Sequence, residues 1–296
     1  EHISLRVFVG KRSASIGSSD LSDAALDELA ARAIDMARAA PEDKYAGLAP
    51  EVRASMCAAL CTHLRPRAAL ADRVIVPTIP QFEYHRSDLP GHVRFVGAVN
   101  PLPSDDFIAP PWWGDLNGDR PVVHVTQGTI DNADLTRLIE PTIEAFAGEN
   151  VTVIVTTGGR PVSQIATPLP ANIFVAEYIP HDVLLPLVDV MVTNGGYGAV
   201  QRALSVGVPM VVAGQTEDKP EVAARVEYFG AGINLRTGTP APAEVRRAVH
   251  AVLADPTYRT NARRLQRAYA ARDSVAEIAG VVDEAIAEAT PRLQRA

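Results

Sequence analysis

Cysteine is scarce in this sequence, which holds only Cys57 and Cys61 among its 296 residues. Two cysteines cannot form the disulfide framework of a small secreted protein. They are four residues apart, which places both thiols on one face of a helix that we expect over residues 50–64. His63 alone adds too few ligands for a metal site, so we interpret both cysteines as half-buried core residues.

Long apolar segments and an excess of basic charge are also missing. No run approaches the roughly 18 apolar residues of a membrane span, and residues 1–20 carry no signal-peptide core. Acidic residues outnumber basic ones by 35 to 28, without a long basic run, which argues against nucleic acid as the main partner. These absences predict a cytoplasmic protein. Aromatic residues are few, at 5%, while Ala and Arg are frequent, which suggests a bacterial origin.

The apolar content is nevertheless sufficient for a folded protein. Hydrophobic residues make up 47% of the chain and charged residues 21%, close to the average of globular proteins. At roughly 150 residues per domain, the length corresponds to about two domains.

Continuously apolar runs recur from residue 121 onward and alternate with helical stretches. The runs are Val122–Val125, Val151–Val155, Ile173–Ala176, Val190–Thr193 and Pro209–Ala213. Because they do not alternate with polar residues, they predict parallel strands covered by helices on both faces. Further helices are expected at 240–254, 257–270 and 274–289. The pattern predicts an α/β fold with a doubly wound, Rossmann-like sheet.

The first hundred residues are organised differently. The predicted elements are a strand at Ile3–Val9, a Ser/Gly break at Ser13–Ser19, helices near 22–39 and 50–64, and short strands at Arg73–Val76 and Val93–Val99. A segment rich in Pro and Trp then follows and is typical of a linker between domains. Three strands are few for an independent Rossmann-type domain, so we expect this part to be incomplete.

Two loops at the carboxyl ends of predicted strands lie where ligands bind in open α/β sheets. The first, Thr126–Thr129, offers hydroxyls and backbone amides to an anion, although an ordinary strand-to-helix turn would use the same residues. The second, Thr193–Gly198, opens a helix, and its glycines let free N–H groups and the helix dipole reach a phosphate. The alternative is a turn needed only for close packing of helix and strand. The spacing is not the G-x-G-x-x-G pattern of dinucleotide-binding domains.

A third loop, Ala213–Pro220, crowds polar residues at the same edge of the sheet. Glu217, Asp218 and Lys219 have the donors and acceptors that bind the hydroxyls of a sugar. The alternative is an acidic pair that interacts favourably with the dipole of the helix that follows.

The order and spacing of the last two loops resemble the donor signature of GT-B fold glycosyltransferases that use UDP- or TDP-sugars on small natural products. The similarity is to the macrolide-type family, with an actinobacterial character. That signature has His-Gly-Gly, an Ala-Leu and Gly-Val-Pro helix end, an Asp-Gln pair, and Ala and Arg on the next helix. The matching residues here are Asn194-Gly195-Gly196, Ala203-Leu204, Gly207-Val208-Pro209, Asp218-Lys219, Ala223 and Arg225. The similarity covers roughly residues 70–290 and includes Thr126–Thr129 and Tyr178-Ile179-Pro180.

The resemblance implies two Rossmann-like domains facing a cleft, of which the amino-terminal one is truncated. Residues 1–105 would be the remnant of an acceptor-binding domain, and 106–120 the interdomain linker. Residues 121–272 would bind the donor, and the helix over 273–296 would pack back towards the first domain.

The resemblance also implies a donor site. Gly195 and Gly196 would give amides to the pyrophosphate, opposite Gly128 and Thr129, and the backbone of Ile179 would meet the base. Asp218 and Lys219 would face the sugar. The candidate donor-binding residues are Gln127, Gly128, Thr129, Tyr178, Ile179, Asn194, Gly195, Gly196, Tyr197, Gly198, Glu217, Asp218 and Lys219.

Three departures from the family pattern are visible. Asn194 replaces the usual His, and Lys219 replaces the usual Gln. The acceptor-domain loop with a catalytic His is not found, and the histidines present are interpreted as structural: His2, His63, His85, His92, His124, His181 and His250. The sequence therefore does not identify the catalytic residues. No Asp-x-Asp pair is present to hold a metal against phosphates, so no metal is expected.

The predicted function is transfer of a sugar, with inversion, from UDP or TDP to a hydroxyl of a hydrophobic small molecule in antibiotic biosynthesis. The nucleotide sugar would be a substrate, no cofactor is expected, and a homodimer is possible. The alternative is a catalytically deficient homologue that binds a nucleotide sugar and serves as a partner or scaffold. An epimerase on the same fold is a weaker candidate, because it needs acid and base residues that we do not find.

Overall fold

The computed structural model describes residues 3–9, 12–18, 22–39, 73–85, 89–100, 106–116 and 119–293. The helix expected over 50–64, both cysteines, His2 and His63 lie outside these residues. Contacts within the chain divide it into two compact units, Glu1–Asp72 and Arg73–Ala296.

The first unit contains a β-hairpin and a helix. Strand β1 (Ile3–Val9) pairs antiparallel with β2 (Arg12–Ser18), and helix α1 spans Asp23–Ala39. The predicted strand and helix are confirmed, but the predicted Ser/Gly break at Ser13–Ser19 is wrong, because Arg12–Ser18 pairs along its whole length with β1. Small polar residues have little strand propensity of their own, and pairing across a hairpin overrides it.

The second unit is built on a six-stranded parallel sheet. Its strands are β5 (Val122–Thr126), β6 (Thr152–Thr156), β7 (Ile173–Ala176), β8 (Val190–Thr193), β9 (Met210–Val212) and β10 (Gly232–Asn234). The spatial order is β10-β9-β8-β5-β6-β7. The direction of winding therefore reverses between β5 and β8, which is the topological switch point of a doubly wound sheet. The sequence did not predict β10.

Helices cover both faces of this sheet. They are α2 (Ile139–Phe146), α3 (His181–Leu184), α4 (Tyr197–Ser205), α5 (Lys219–Tyr228), α6 (Pro242–Ala254), α7 (Pro256–Ala270) and α8 (Ser274–Leu293). Every residue of β5, β6, β8 and β9 is buried. Val123 and Ile143 belong to the apolar cluster on one face, and Met191 and Leu204 to the cluster on the other. The predicted α/β, doubly wound sheet is confirmed, as are the closing helices.

Two short parallel strands precede the sheet in the second unit. Strand β3 (Val74–Val76) pairs with β4 (Val93–Phe95), which is shorter than the predicted Val93–Val99. Arg272 Nη1 donates to the carbonyl oxygen of Phe95 at 3.0 Å, and Ser274 Oγ donates to that of Ala98 at 2.8 Å. These bonds attach the segment to the start of α8.

The region of the expected linker packs against the sheet. The Trp112 ring stacks on Phe174 of β7, with the ring centroids 5.0 Å apart. The contact boundary lies between Asp72 and Arg73, whereas the predicted domain assignment rested on the family resemblance and stays a prediction. None of the helices in the described part of the chain is long and apolar enough to cross a membrane.

Candidate functional site

A cavity of about 490 Å³ opens at the switch point, beyond the carboxyl ends of the parallel strands. The loops after β5, β7, β8 and β9 meet there. Of the predicted donor-binding residues, it is lined by Gln127, Gly128, Thr129, Tyr178, Ile179, Asn194, Gly196, Tyr197, Gly198, Glu217, Asp218 and Lys219. Gly195 does not line it. The cavity is also lined by residues outside the predicted donor-binding set: Thr126, Ile130, Asp131, Thr156, Gly158, His181, Ala199 and Arg202.

Gly195 has a structural role. Its φ is +86°, and a Cβ there would lie 2.8 Å from Cγ1 of Val212 on β9. A side chain is therefore excluded both by the left-handed backbone and by the neighbouring strand. This is the close packing that the sequence analysis left open as the alternative to phosphate binding.

The second loop, Thr193–Gly198, is called the glycine loop below, and its free amides are those at the start of α4. Gly195 N–H donates to Thr193 Oγ1 at 3.2 Å, and Gly196 N–H donates to Asn194 Oδ1 at 3.3 Å. The N–H groups of Tyr197 and Gly198 have no acceptor among the described residues. They lie at the positive end of the helix dipole and on the cavity wall, which is the arrangement that binds an anion.

Asn194 joins the first loop to the second. Its Nδ2 donates to the carbonyl oxygen of Gln127 at 2.6 Å and to that of Asp131 at 3.4 Å. Its Oδ1 accepts from Gly196, and the residue is 7% exposed. An amide group both donates and accepts, so one side chain fixes two loops. This gives a physical reason for Asn where the resembling family has His.

Lys219 joins the third loop to the first. Its ammonium lies 3.3 Å from Asp131 Oδ2, donates to Thr216 Oγ1 at 3.1 Å and also donates to Glu217 Oε2. Lys219 is 3% exposed. The charge of Lys219 is thus neutralised by two carboxylates, and it is not presented freely to a ligand.

The carboxyl of Asp131 is held in its ionised form by the same network. Thr216 Oγ1 donates to Asp131 Oδ2 at 2.6 Å, and Arg137 Nη1 lies 2.8 Å from its Oδ1. The hydrogen bond from Thr216, with further contributions from Lys219 and Arg137, lowers the pKa of Asp131. The first and third loops are therefore linked by charged groups at neutral pH.

Asp218 is the acidic side chain of the third loop that is open to a ligand. It lines the cavity, is exposed and occupies the N-cap of α5, yet its side chain accepts no capping hydrogen bond. Among the described residues its carboxylate has no hydrogen-bond or ion-pair partner. The carboxylate can therefore accept hydrogen bonds from a ligand.

Two histidines lie close together, and one of them lines the cavity. His124, in β5, is fully buried, and its Nδ1 donates to the carbonyl oxygen of Ile154 at 3.1 Å. His181 begins α3 and lines the cavity, with its ring centroid 5.5 Å from that of His124. Burial lowers the pKa of His124 to about 3 and, together with the charge of Arg202, lowers that of His181 to about 4. Both imidazoles are neutral at neutral pH.

Behind the third loop, α5 carries a buried cation between two carboxylates. Arg225 is 3% exposed, and its Nη2 lies 3.2 Å from Glu83 Oε2 and 3.2 Å from Glu221 Oε1. The guanidinium carbon lies 5.4 Å from the centre of the Tyr84 ring. This cluster fixes α5 to the segment before the sheet.

Glu221 gives the second unit a pH-dependent stability. Burial, reinforced by Glu83 and opposed by Arg225, raises the pKa of Glu221 from 4.5 to about 7. The folded state then binds more protons than the unfolded state between pH 4.5 and about 7, so stability falls as pH rises through this window.

We expect Glu221→Gln to flatten this pH dependence. In thermal melts, the melting temperature of the variant relative to that of the parent should rise by a few degrees between pH 5 and pH 8. Glu144→Gln, on the exposed face of α2, is the matched control. A parallel pH dependence in Glu221→Gln and the parent would contradict the assignment.

No group of three or more His, Cys, Asp or Glu side chains that would hold a metal ion occurs within the described ranges. The expectation that no metal is needed stays a prediction.

Comparison with known proteins identifies the family of residues 142–285 of the second unit. Residues 142–285 match the family model described as erythromycin biosynthesis protein CIII-like, C-terminal domain. This part of the chain belongs to the EryCIII-like family. The EryCIII-like match covers the glycine loop, the third loop and the closing helices. A separate family model, PmbA/TldA metallopeptidase domain 1, matches residues 1–37.

Relatives of this chain are named as glycosyltransferases or synthases. It is 52% identical over 213 residues to the 4'-demethylrebeccamycin synthase of Lentzea aerocolonigenes, covering 72% of this chain and 49% of that protein. It is 42% identical over 219 residues to UDP-glycosyltransferase 2 of Phaeomoniella chlamydospora, covering 72% and 48%. The chain thus spans about half the length of these relatives.

Among solved structures, the calicheamicin glycosyltransferase CalG4 superposes with a TM-score of 0.64 at 26% identity, over 81% of this chain and 63% of that one. The spinosyn rhamnosyltransferase SpnG superposes with a TM-score of 0.60 at 21% identity, over 72% and 56%. These structural similarities, together with the parallel sheet, place the second unit in the GT-B fold class, with a Rossmann-like domain.

The cavity residues that the sequence analysis missed had weak local signals. Arg202 lies one helical turn after Gly198, and Asp131 follows the first loop by two residues. Spacing alone places Arg202 on the face of α4 that begins at the glycine loop. His181 was interpreted as structural, although its ring lines the cavity. The other described histidines, His85, His92, His124 and His250, do not.

Proposed function

We propose that the second unit binds the donor of a glycosyltransferase that moves a sugar, with inversion, from a UDP- or TDP-sugar to a hydroxyl of a hydrophobic small molecule. One observation carries the proposal. The free amides at the start of α4 and the free carboxylate of Asp218 line the same cavity, so an anion-binding group and a hydroxyl-binding group face one ligand.

The names of the relatives support the same substrate classes. Several are UDP-dependent sugar transferases by name, including UDP-glucosyltransferase 1 of Beauveria bassiana at 39% identity. The rebeccamycin and calicheamicin relatives carry the names of natural products. A small-molecule acceptor and a nucleotide-sugar donor are therefore the substrates we propose for this chain.

In the proposed reaction the bond between the sugar's anomeric carbon and the diphosphate oxygen breaks, and the diphosphate keeps the electron pair. A new bond forms between the anomeric carbon and the acceptor oxygen on the opposite face of the sugar, and the acceptor's proton passes to a general base. The positive end of α4 stabilises the negative charge that develops on the diphosphate. The carboxylate of Asp218 accepts hydrogen bonds from the hydroxyls of the sugar. We assign the general base to none of the described residues.

A panel of ligands tests the binding step. UDP, TDP and GDP, each with and without an attached glucose, should be compared by thermal shift. A ligand at 100 times its Kd stabilises the folded state by about 2.7 kcal/mol, which is a measurable shift. We expect UDP or TDP to raise the melting temperature more than GDP. Equal, negligible shifts for all six ligands would overturn the proposal.

Asp218→Asn is expected to separate recognition of the sugar from recognition of the nucleotide. The variant keeps the size of the side chain but loses a charged acceptor, and a charge-assisted hydrogen bond contributes about 1.5–3 kcal/mol. Calorimetric titration should show affinity for the nucleoside diphosphate within about threefold of the parent, and affinity for the intact nucleotide sugar weakened by about tenfold or more. Glu144→Gln, which makes the same change of charge on α2, should alter neither affinity. Equal losses for both ligands would show that Asp218 does not act on the sugar.

A further inference from the structure

We propose, on the basis of the proposed function, that Arg202 is a donor-binding residue whose guanidinium binds a phosphate of the donor nucleotide, next to the amides of α4. The sequence resemblance assigns no role to this position. The inference rests on where the side chain lies, on the partners of the other cations at the cavity, and on its neighbour His181.

The helix places Arg202 above the anion-binding amides. Arg202 lies four residues after Gly198 in α4, so the two share one face of the helix, and both line the cavity. Long side chains in a helix lean towards its N-terminus. The guanidinium of Arg202 is therefore directed towards the end of α4 at which the N–H groups of Tyr197 and Gly198 are free.

Arg202 is also the cation at the cavity whose charge no described residue neutralises. Lys219, the other cationic lining residue, is paired with Asp131 and Glu217. Arg202 has no hydrogen bond or ion pair with any described residue, and it is only partly exposed. A partly buried cation beside the positive end of a helix lacks a counter-ion, and an anionic ligand supplies one.

His181 relates the position of Arg202 to the loop that is expected to meet the base. The positive charge of Arg202 acts on the imidazole of His181, which lines the cavity after Ile179, in the loop expected to meet the base. Asp218 and Glu217 lie on the loop after β9, expected to meet the sugar. Arg202 thus lies between the expected base and the expected sugar, where the diphosphate must pass.

Charge-removing and charge-keeping variants test the proposal. Binding of TDP and UDP, of their nucleoside monophosphates and of the free nucleosides should be measured by calorimetry for the parent, Arg202→Gln and Arg202→Lys, at low and high salt. We expect Arg202→Gln to weaken binding of the nucleoside diphosphates and of the monophosphates by about tenfold or more. The variant should also reduce the salt dependence of that binding. The affinity of Arg202→Gln for the free nucleosides should stay within about twofold of the parent. Arg202→Lys keeps the positive charge and should therefore keep most of the affinity for phosphate-bearing ligands that Arg202→Gln loses. The matched control is Arg247→Gln, which removes the same charge from an exposed position on α6.

A measurement on the unaltered protein decides the case if Arg202→Gln melts well below the parent. The pKa of His181 should be followed by NMR with and without bound TDP or UDP, and we expect it to rise when a phosphate neutralises Arg202. An unchanged pKa, or Arg202→Gln binding TDP and UDP within about twofold of the parent, would overturn the role of Arg202. If the parent binds no nucleotide at all, the proposed function fails, and the role of Arg202 fails with it. If the parent binds TDP or UDP and Arg202→Gln binds it equally well, only the role of Arg202 is overturned.

Discussion

Arg225→Met should lower the free energy of unfolding of the second unit by about 3–5 kcal/mol, the usual effect of removing one partner from a buried ion pair. Arg225 lies between Glu83 and Glu221, whose side chains are 8% and 18% exposed. Methionine fills a similar volume but removes the positive charge that lies between the two carboxylates. At about 2–4 °C per kcal/mol for a unit of this size, the melting temperature should fall by roughly 6–20 °C.

Tryptophan fluorescence reports this loss for the second unit alone. The chain has two tryptophans, Trp112 and Trp113, and both pack against the apolar core of that unit. Arg225→Lys keeps a positive charge and should recover part of the stability, whereas Arg247→Gln removes an exposed arginine and should change the melting temperature little. A melt of Arg225→Met within about one degree of the parent would show that the cluster contributes nothing net to folding.

Gly195→Val is expected to abolish binding of UDP and TDP. The residue does not line the cavity, so the effect comes through the loop. At φ +86° a β-branched side chain is strained, and its Cβ would meet Val212 Cγ1 at 2.8 Å. Relief requires the loop to shift, and the loop carries Asn194, which fixes Gln127, and the free amides at the start of α4.

Calorimetric titration of the folded variant checks this result, with an expected loss of about thirtyfold or more in affinity, since strain and displacement each cost on the order of 1–3 kcal/mol. The control is Gly280→Val on α8, where an added Cβ meets nothing within 4 Å. If Gly195→Val binds UDP as tightly as the parent, the anion site lies elsewhere. Gly198→Val separates the two causes, because a Cβ at Gly198 has open space and would obstruct the ligand without straining the backbone.

Much of the second unit follows from local sequence patterns. Continuous apolar runs predicted five of the six strands of the sheet to within one or two residues, since burial on both faces requires such runs. The exception, Gly232–Asn234, is three residues long with Ile233 as its one large apolar residue, and pairing with β9 alone makes it a strand. In the first unit, Arg12–Ser18 was missed for the same reason, because its partner strand and not its composition makes it extended.

By itself, the sequence determined which loops meet, because the carboxyl ends of parallel strands share one edge of a sheet. The glycine loop, the first loop and the third loop therefore lie at one cavity, as the spacing predicted. Only the tertiary structure decided what each side chain does there. Asn194 binds the backbone of Gln127, and Lys219 binds Asp131, in contacts between residues 67 and 88 positions apart. Such partners are selected by the packing of the folded chain, which no local pattern records, and they leave Arg202 and Asp218 as the charged groups free to meet a ligand.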